Sequence, residues 1–247
     1  MSDLKNIEIA KEAALLAGEI LVNTKSDLNH EKESKGKDIK LLADIEAENA
    51  IKQYISKHSL HPILGEETGK SVEDLGDTFW VIDPLDGTAN YSRNIPICCV
   101  SIALIEKMKP SVGVIYDFNH NDIYEGSKST KAKMNNKPIS INTNTDKESS
   151  ILLTGLPLLT DYSDSAMLNM VKDFQNWKKV RMIGSAAMAA VYVASGKADM
   201  YKEAGAFLWD IAAGAAIIEA AGGVAMISNE QENFQVDVSF TNIPLSK

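Results

Sequence analysis

The sequence predicts a mixed α/β fold, α+β in its first half and alternating α and β in its second. Three observations carry that reading. Apolar residues recur at steps of three and four near the N-terminus, short β-type runs fill the middle, and helix and strand patterns alternate after residue 150. The chain has 247 residues, 45% hydrophobic and 24% charged, a balance that packs an ordered core without disulfides or structural zinc.

Taken in order, Leu4, Ile7, Ala10, Ala14, Ala17 and Leu21 share one helical stripe, so an amphipathic helix that covers a sheet opens the chain. Residues 29–40 are polar and lysine-rich and read as a mobile loop. A second helix follows, with Ala43, Ala47, Ala50, Ile51 and Tyr54 on its apolar stripe and Asp44, Glu46, Glu48 and Lys52 off it. Strands are expected over 78–82, 98–105 and 111–116, with turns at Lys109-Pro110 and Asn119-His120-Asn121. Residues 127–150, dominated by Lys, Ser, Thr and Asn, mark a soft boundary between two halves, 1–142 and 143–247, packed as one compact unit. Beyond it come a strand over 151–154, helices over 163–176 and 185–195, and a strand over 198–201. A helix over 211–221, fronted by Asp210 and ended by Gly222-Gly223, leads to a strand over 224–227. No internal repeat is visible.

Composition removes several function classes. Lys and Arg total 25 against 34 Asp and Glu, giving 25 − 34 = −9, so no overall basic field exists to bind nucleic acid through its backbone. No apolar run approaches the roughly 18 residues of a membrane span and no basic-then-apolar leader opens the chain, which makes the cytoplasm the expected location. The two cysteines, Cys98 and Cys99, are neighbours and point to opposite faces of a strand. Buried thiols are the expectation.

The segment Trp80-Val81-Ile82-Asp83-Pro84-Leu85-Asp86-Gly87-Thr88-Ala89-Asn90-Tyr91 carries the chemistry. An apolar strand ends in a carboxylate, a proline takes the next bond out of the ladder, and a second carboxylate arrives before Gly-Thr. Asp-Pro or Asp-Gly alone commonly makes only a turn. Two acids at one strand end are costly unless a cation compensates them, and carboxylates with carbonyls are the ligands of hard ions such as Mg²⁺. Gly87 lets a ligand approach the backbone, and Thr88 supplies a hydroxyl and opens a short helix that favours an anion. Two further segments add acids: Ile63-Leu64-Gly65-Glu66-Glu67, and Trp209-Asp210-Ile211-Ala212-Ala213-Gly214 at a helix start. Alone, the first is ordinary surface and the second as well a helix cap as a ligand.

In their order, these segments, with Glu219-Ala220-Ala221-Gly222-Gly223, closely resemble the inositol monophosphatase family within the magnesium-dependent, lithium-sensitive phosphatase superfamily. The resemblance implies a layered α-β-α-β-α sandwich of the inositol monophosphatase and fructose-1,6-bisphosphatase type. It implies two or three Mg²⁺ ions: one held by Glu66, Asp83 and the Leu85 carbonyl, another by Asp83, Asp86 and Asp210, and a third, weaker one at Glu66. One ion acidifies a water that attacks phosphorus in line, the other steadies the departing alkoxide, and Glu66 and Thr88 position the water. Asp44 orients the Thr88 hydroxyl if it matches the family's second-helix aspartate, although Leu41 stands where the family pattern has threonine. By the same resemblance a loop lysine near the site corresponds to Lys35 or Lys37, and a solvated surface charge is the other reading of either.

The same resemblance implies a homodimer and a small phosphate ester as substrate, bound by Asp86, Gly87, Thr88 and Glu203. The Gly184-Ser185-Ala186 turn at a helix start adds backbone amides to that pocket, and composition leaves neither nucleic acid nor membrane as an expected partner. An exposed strand-end acid is the other reading of Glu203. The wider superfamily also hydrolyses fructose bisphosphate, histidinol phosphate and a 3′-phosphonucleotide, and an inactive relative would serve as a binding subunit. A haloacid-dehalogenase-type phosphatase also places Asp-Gly-Thr after a strand, but its acids are two apart and those here are three.

Overall fold

A computed structural model describes residues 2–23, 31–35, 38–157, 160–242 and 245, the stretches 31–35 and 38–41 in backbone only. Helices α1 (Asp3–Asn23) and α2 (Leu42–His58) flank a two-stranded ribbon, β1 (Glu31–Lys35) and β2 (Asp38–Leu41). A paired ribbon thus stands where a loop was expected. Lys37 lies outside the described residues, as does the side chain of Lys35. The two helices pack together through Ala10, Ala13, Ala14, Ala17, Ala43 and Ala47, whose small side chains allow close approach.

They cover one face of an eight-stranded sheet built from β3 (Ile63–Gly65), β4 (Gly69–Lys70), β5 (Thr78–Asp86), β6 (Cys99–Glu106), β7 (Lys109–Asp117), β8 (Asp122–Ser127), β9 (Thr130–Met134) and β10 (Lys137–Pro138). Its order is β10-β9-β8-β7-β6-β5-β3-β4, antiparallel except where β3 joins β5. Helix α3 (Thr88–Ser92) follows β5. Cys98 and Cys99 are buried on opposite sides of this sheet, as the alternation required.

The second sheet holds β11 (Ile151–Thr154), β12 (Lys179–Met182), β13 (Met200–Phe207), β14 (Val224–Ser228) and β15 (Gln235–Thr241), in the order β12-β11-β13-β15-β14. Between the sheets lie α5 (Ala186–Ala194), apolar and almost wholly buried, and α6 (Leu208–Ala220), apolar but for Asp210 and Glu219 near its two ends and buried between them. Before them in the chain, α4 (Asp164–Phe174) flanks β11 and β13 from outside. The layers run α-β-α-β-α, as the resemblance implied. Gly113 on β7 lets α6 touch the sheet backbone to backbone, since a Cβ there would collide with the Ala213 carbonyl.

Three differences have physical causes. The expected turn at Lys109-Pro110 falls two residues earlier, where Lys107 and Met108 take positive φ angles of 52° and 59° in a tight hairpin. The polar stretch 127–150 still builds β9 and β10, because edge strands tolerate lysine and threonine. Strands β12 and β15 are additional to those expected: β12 is only four residues long, and β15 shows the period-two alternation of Val236, Val238 and Phe240 with polar residues that marks a half-buried strand.

Candidate active site

The register of β5 against β6 explains how two acids three residues apart act together. Asp83 pairs with Ser101 and Asp86 with Cys99, so three steps on β5 oppose two on β6. That bulge at Pro84 and Leu85 turns both carboxylates to one face, where an unbroken strand would have split them. The strand therefore continues through both acids rather than ending at the first. The Leu85 amide donates to Asp83 Oδ1 at 2.9 Å, and the Thr88 hydroxyl donates to the Leu85 carbonyl at 3.0 Å. Gly87 has φ +91°, and a Cβ there would lie 2.8 Å from the Ile97 carbonyl oxygen, so only glycine fits this turn.

Glu66 stands in the turn between β3 and β4, and a buried acid on α2 fixes that turn. Glu48 accepts from the amides of Glu67 at 2.8 Å and Thr68 at 3.1 Å and from the Thr68 hydroxyl. The sequence pattern sets Glu48 among the polar residues of α2, so it is not one of the expected site residues. Its signal was present: it lies one turn after Asp44, and both are buried beside the alanine stripe.

Asp210 enters from the first turn of α6. The helix begins at Leu208, so Asp210 does not front it; its Oδ2 accepts from the Phe207 amide at 2.9 Å. Asp86 is gripped across the molecule by the start of α5. Its carboxylate accepts from the Ser185 hydroxyl, the Ala187 amide at 2.8 Å and the Ala186 amide at 3.3 Å. The Ser185 hydroxyl and the Ala186 amide thus serve to hold Asp86. Asn90 secures the same junction, donating to the carbonyls of Ile97 at 2.8 Å and Ile183 at 2.7 Å.

Electrostatics mark the cluster. Burial, then the Asp210 charge, raises the Glu66 pKa well above the carboxylate range, while a hydrogen bond to Asp83 partly opposes the shift. Burial, then the Glu66, Asp86 and Asp210 charges, does the same to Asp83. Burial also raises Asp86, against the hydrogen bonds from Ser185 and the α5 amides. Asp44, buried on α2, adds its charge to Glu66. Among the described residues the principal charged neighbours of Glu66 and Asp83 are carboxylates, an arrangement that calls for a cation.

Beside the cluster lies a cavity of about 230 Å³ bordered by Asp86, Gly184, Ser185, Ala186, Glu203 and Asp210. Glu203 sits on β13, partly buried, and burial pushes its pKa up to about 7. The fold thus gathers Glu66, Asp83, Asp86 and Asp210, with the Leu85 carbonyl, Gly87 and Thr88 alongside and Glu203 across the cavity. The single Thr88 hydroxyl proton is directed at Leu85 rather than at Asp44.

Residues 3–243 match the Inositol monophosphatase family. A fructose-1,6-bisphosphatase/inositol-1-monophosphatase of Aquifex aeolicus is 36% identical over 93% of this chain and 89% of its own. The Nus factor SuhB of Escherichia coli K12 is 35% identical over 88% and 83%. The solved inositol monophosphatase of Anabaena superposes with a TM-score of 0.84 at 32% identity, covering 99% of this chain and 93% of that one.

Proposed function

The chain belongs to the inositol monophosphatase family, and from that premise we propose that this phosphatase hydrolyses a small inositol, polyol or sugar monophosphate with Mg²⁺ bound to Glu66, Asp83, the Leu85 carbonyl, Asp86 and Asp210. The observation that carries the proposal is the convergence of acids from the turn after β3, from β5 and from α6, beside a cavity bordered by Asp86, Asp210 and Glu203.

The donors fit a hard divalent ion: they are carboxylates and a carbonyl, and their negative charges oppose one another. As placed, no three acidic, histidine or cysteine side chains among the described residues enclose an ion, and Glu66 and Asp83 share a hydrogen bond instead. Bound there, two or three ions supply positive charge for the phosphate and the leaving oxygen and lower the pKa of water.

The chain's own groups do the rest. Glu66 accepts a proton from the attacking water, with the Thr88 hydroxyl as the second group that orients it. Asp86 is held rigid by the first turn of α5, so its position does not drift when substrate enters. Glu203 accepts hydrogen bonds from hydroxyls of the substrate body, which selects a polyol ester over a plain aryl ester. Asp44 contributes charge to the cluster rather than touching substrate. This reading also takes the protein to be a cytoplasmic homodimer; no helix among the described residues is long and apolar enough to cross a membrane.

Phosphate release measured on inositol 1-phosphate, fructose 1,6-bisphosphate, histidinol phosphate and a 3′-phosphonucleotide, with Mg²⁺ and after chelation, tests the proposal. Turnover of inositol 1-phosphate that disappears on chelation and returns with Mg²⁺ is expected. A preference for another ester would move the substrate assignment, and no hydrolysis of any would leave the binding-subunit alternative.

A further inference from the structure

We infer that the Tyr201 hydroxyl is a specificity-determining contact that hydrogen-bonds a hydroxyl of the substrate beside the one accepted by Glu203. The inference rests on the polyol-phosphatase reading and adds a residue to it.

Tyr201 is 1% exposed, and its hydroxyl makes no hydrogen bond to the described residues. A buried polar group without a partner costs free energy that a fold ordinarily avoids. Other buried polar atoms share that condition, such as Ser239 Oγ, but Tyr201 alone among them borders the cavity of Asp86, Glu203 and Asp210. Its ring is fixed from behind, packed against Phe240 at 5.8 Å between centroids and paired in register with Leu153 on β11.

The strand geometry gives the hydroxyl its company. Tyr201 and Glu203 are two apart on a regular stretch of β13, opposite Phe240 and Val238 on β15, so both side chains leave the same face. The Tyr201 hydroxyl lies near enough to Glu203 to favour its charged form through an interaction of hydrogen-bond type, although it meets no partner at ordinary hydrogen-bond geometry. A phenol both donates and accepts, while a carboxylate only accepts. Together they match two hydroxyls on neighbouring carbons, and a ligand there satisfies the orphaned donor. An aryl phosphate offers neither hydroxyl.

The test is steady-state hydrolysis of inositol 1-phosphate and 4-nitrophenyl phosphate by the wild type and Tyr201→Phe, with Mg²⁺ present, alongside thermal melts of both proteins without substrate. Losing one neutral hydrogen bond should lower kcat/KM for the inositol ester about three- to tenfold, mainly through KM, and leave the aryl ester within about twofold. Because the variant removes an unsatisfied group, its Tm should stay level or rise. Equal loss on both esters, a fall in Tm, or no loss on either would overturn the inference, the last leaving water as the hydroxyl's only partner. A wild type that cleaves the aryl ester but not the inositol ester, or neither, defeats the polyol reading itself and this inference with it.

Discussion

Glu203 carries most of the selectivity in this account, and it does so at a cost to the fold. Burial holds its pKa at about 7 against an ordinary 4.5, with the Asp86 charge adding to the shift and the Tyr201 hydroxyl opposing it. Folding therefore favours the protonated acid. The penalty is absent below the unfolded value, grows as pH rises from 4.5, and is complete above about 7. Glu203→Gln should raise stability by about 1–3 kcal/mol at pH 8 and change it little at pH 4, read from denaturant melts without divalent metal. The same variant should lower kcat/KM for inositol 1-phosphate about ten- to a hundredfold, since a charged hydrogen bond is worth roughly 1.5–3 kcal/mol. Aryl phosphate should lose little; equal losses would show that Glu203 supports the fold or the metal site instead. The sequence made Glu203 visible through its place before Trp209-Asp210. It could not show that Ser185 and Ala186 turn to Asp86, because that bond joins residues about a hundred positions apart.

At the scale of elements, the acids depend on irregularities in regular structure. A single inserted residue in β5 brings Asp83 and Asp86 to one face, and Asp-Pro-Leu-Asp announced the interruption without revealing that the ladder resumes at Cys99. Helices α1 and α2 were legible from periodicity and α5 from the glycines at 184 and 196 that bound it, whereas β12 is only four residues long and the ribbon of β1 and β2 lacks alternation and takes shape only through pairing. Strand β15, with Val236, Val238 and Phe240 alternating with polar residues, carried a strand signal. The contact that seats α6, and with it Asp210, is the bare backbone of Gly113. Gly113→Ala should push α6 off the sheet, costing about 1–3 kcal/mol by thermal or denaturant unfolding. It should also weaken Mg²⁺ binding, because Asp210 would withdraw from Asp83. An unchanged Tm would show that the helix accommodates the methyl group without moving.

For the whole molecule, the site exists only when distant segments assemble. Glu66 comes from the turn after β3, Asp83 and Asp86 from β5, Asp210 from α6, and the grip on Asp86 from α5. The motifs point to these acids as candidates; their mutual charge repulsion is a property of the folded chain. If the protein is a homodimer, sedimentation at micromolar concentration should give twice the 26.9 kDa chain mass, and a species at the chain mass would count against the dimer. The central claim is that these acids hold the metal on which hydrolysis depends, and Asp83, flanked by Glu66, Asp86 and Asp210, is the place to test it. The measurement is Mg²⁺-dependent phosphate release from inositol 1-phosphate by Asp83→Asn, with a melt to verify folding. A folded variant that has lost several kcal/mol of transition-state stabilisation, on the order of a thousandfold or more in kcat/KM, is the predicted result; a folded variant with near-normal release would contradict the account.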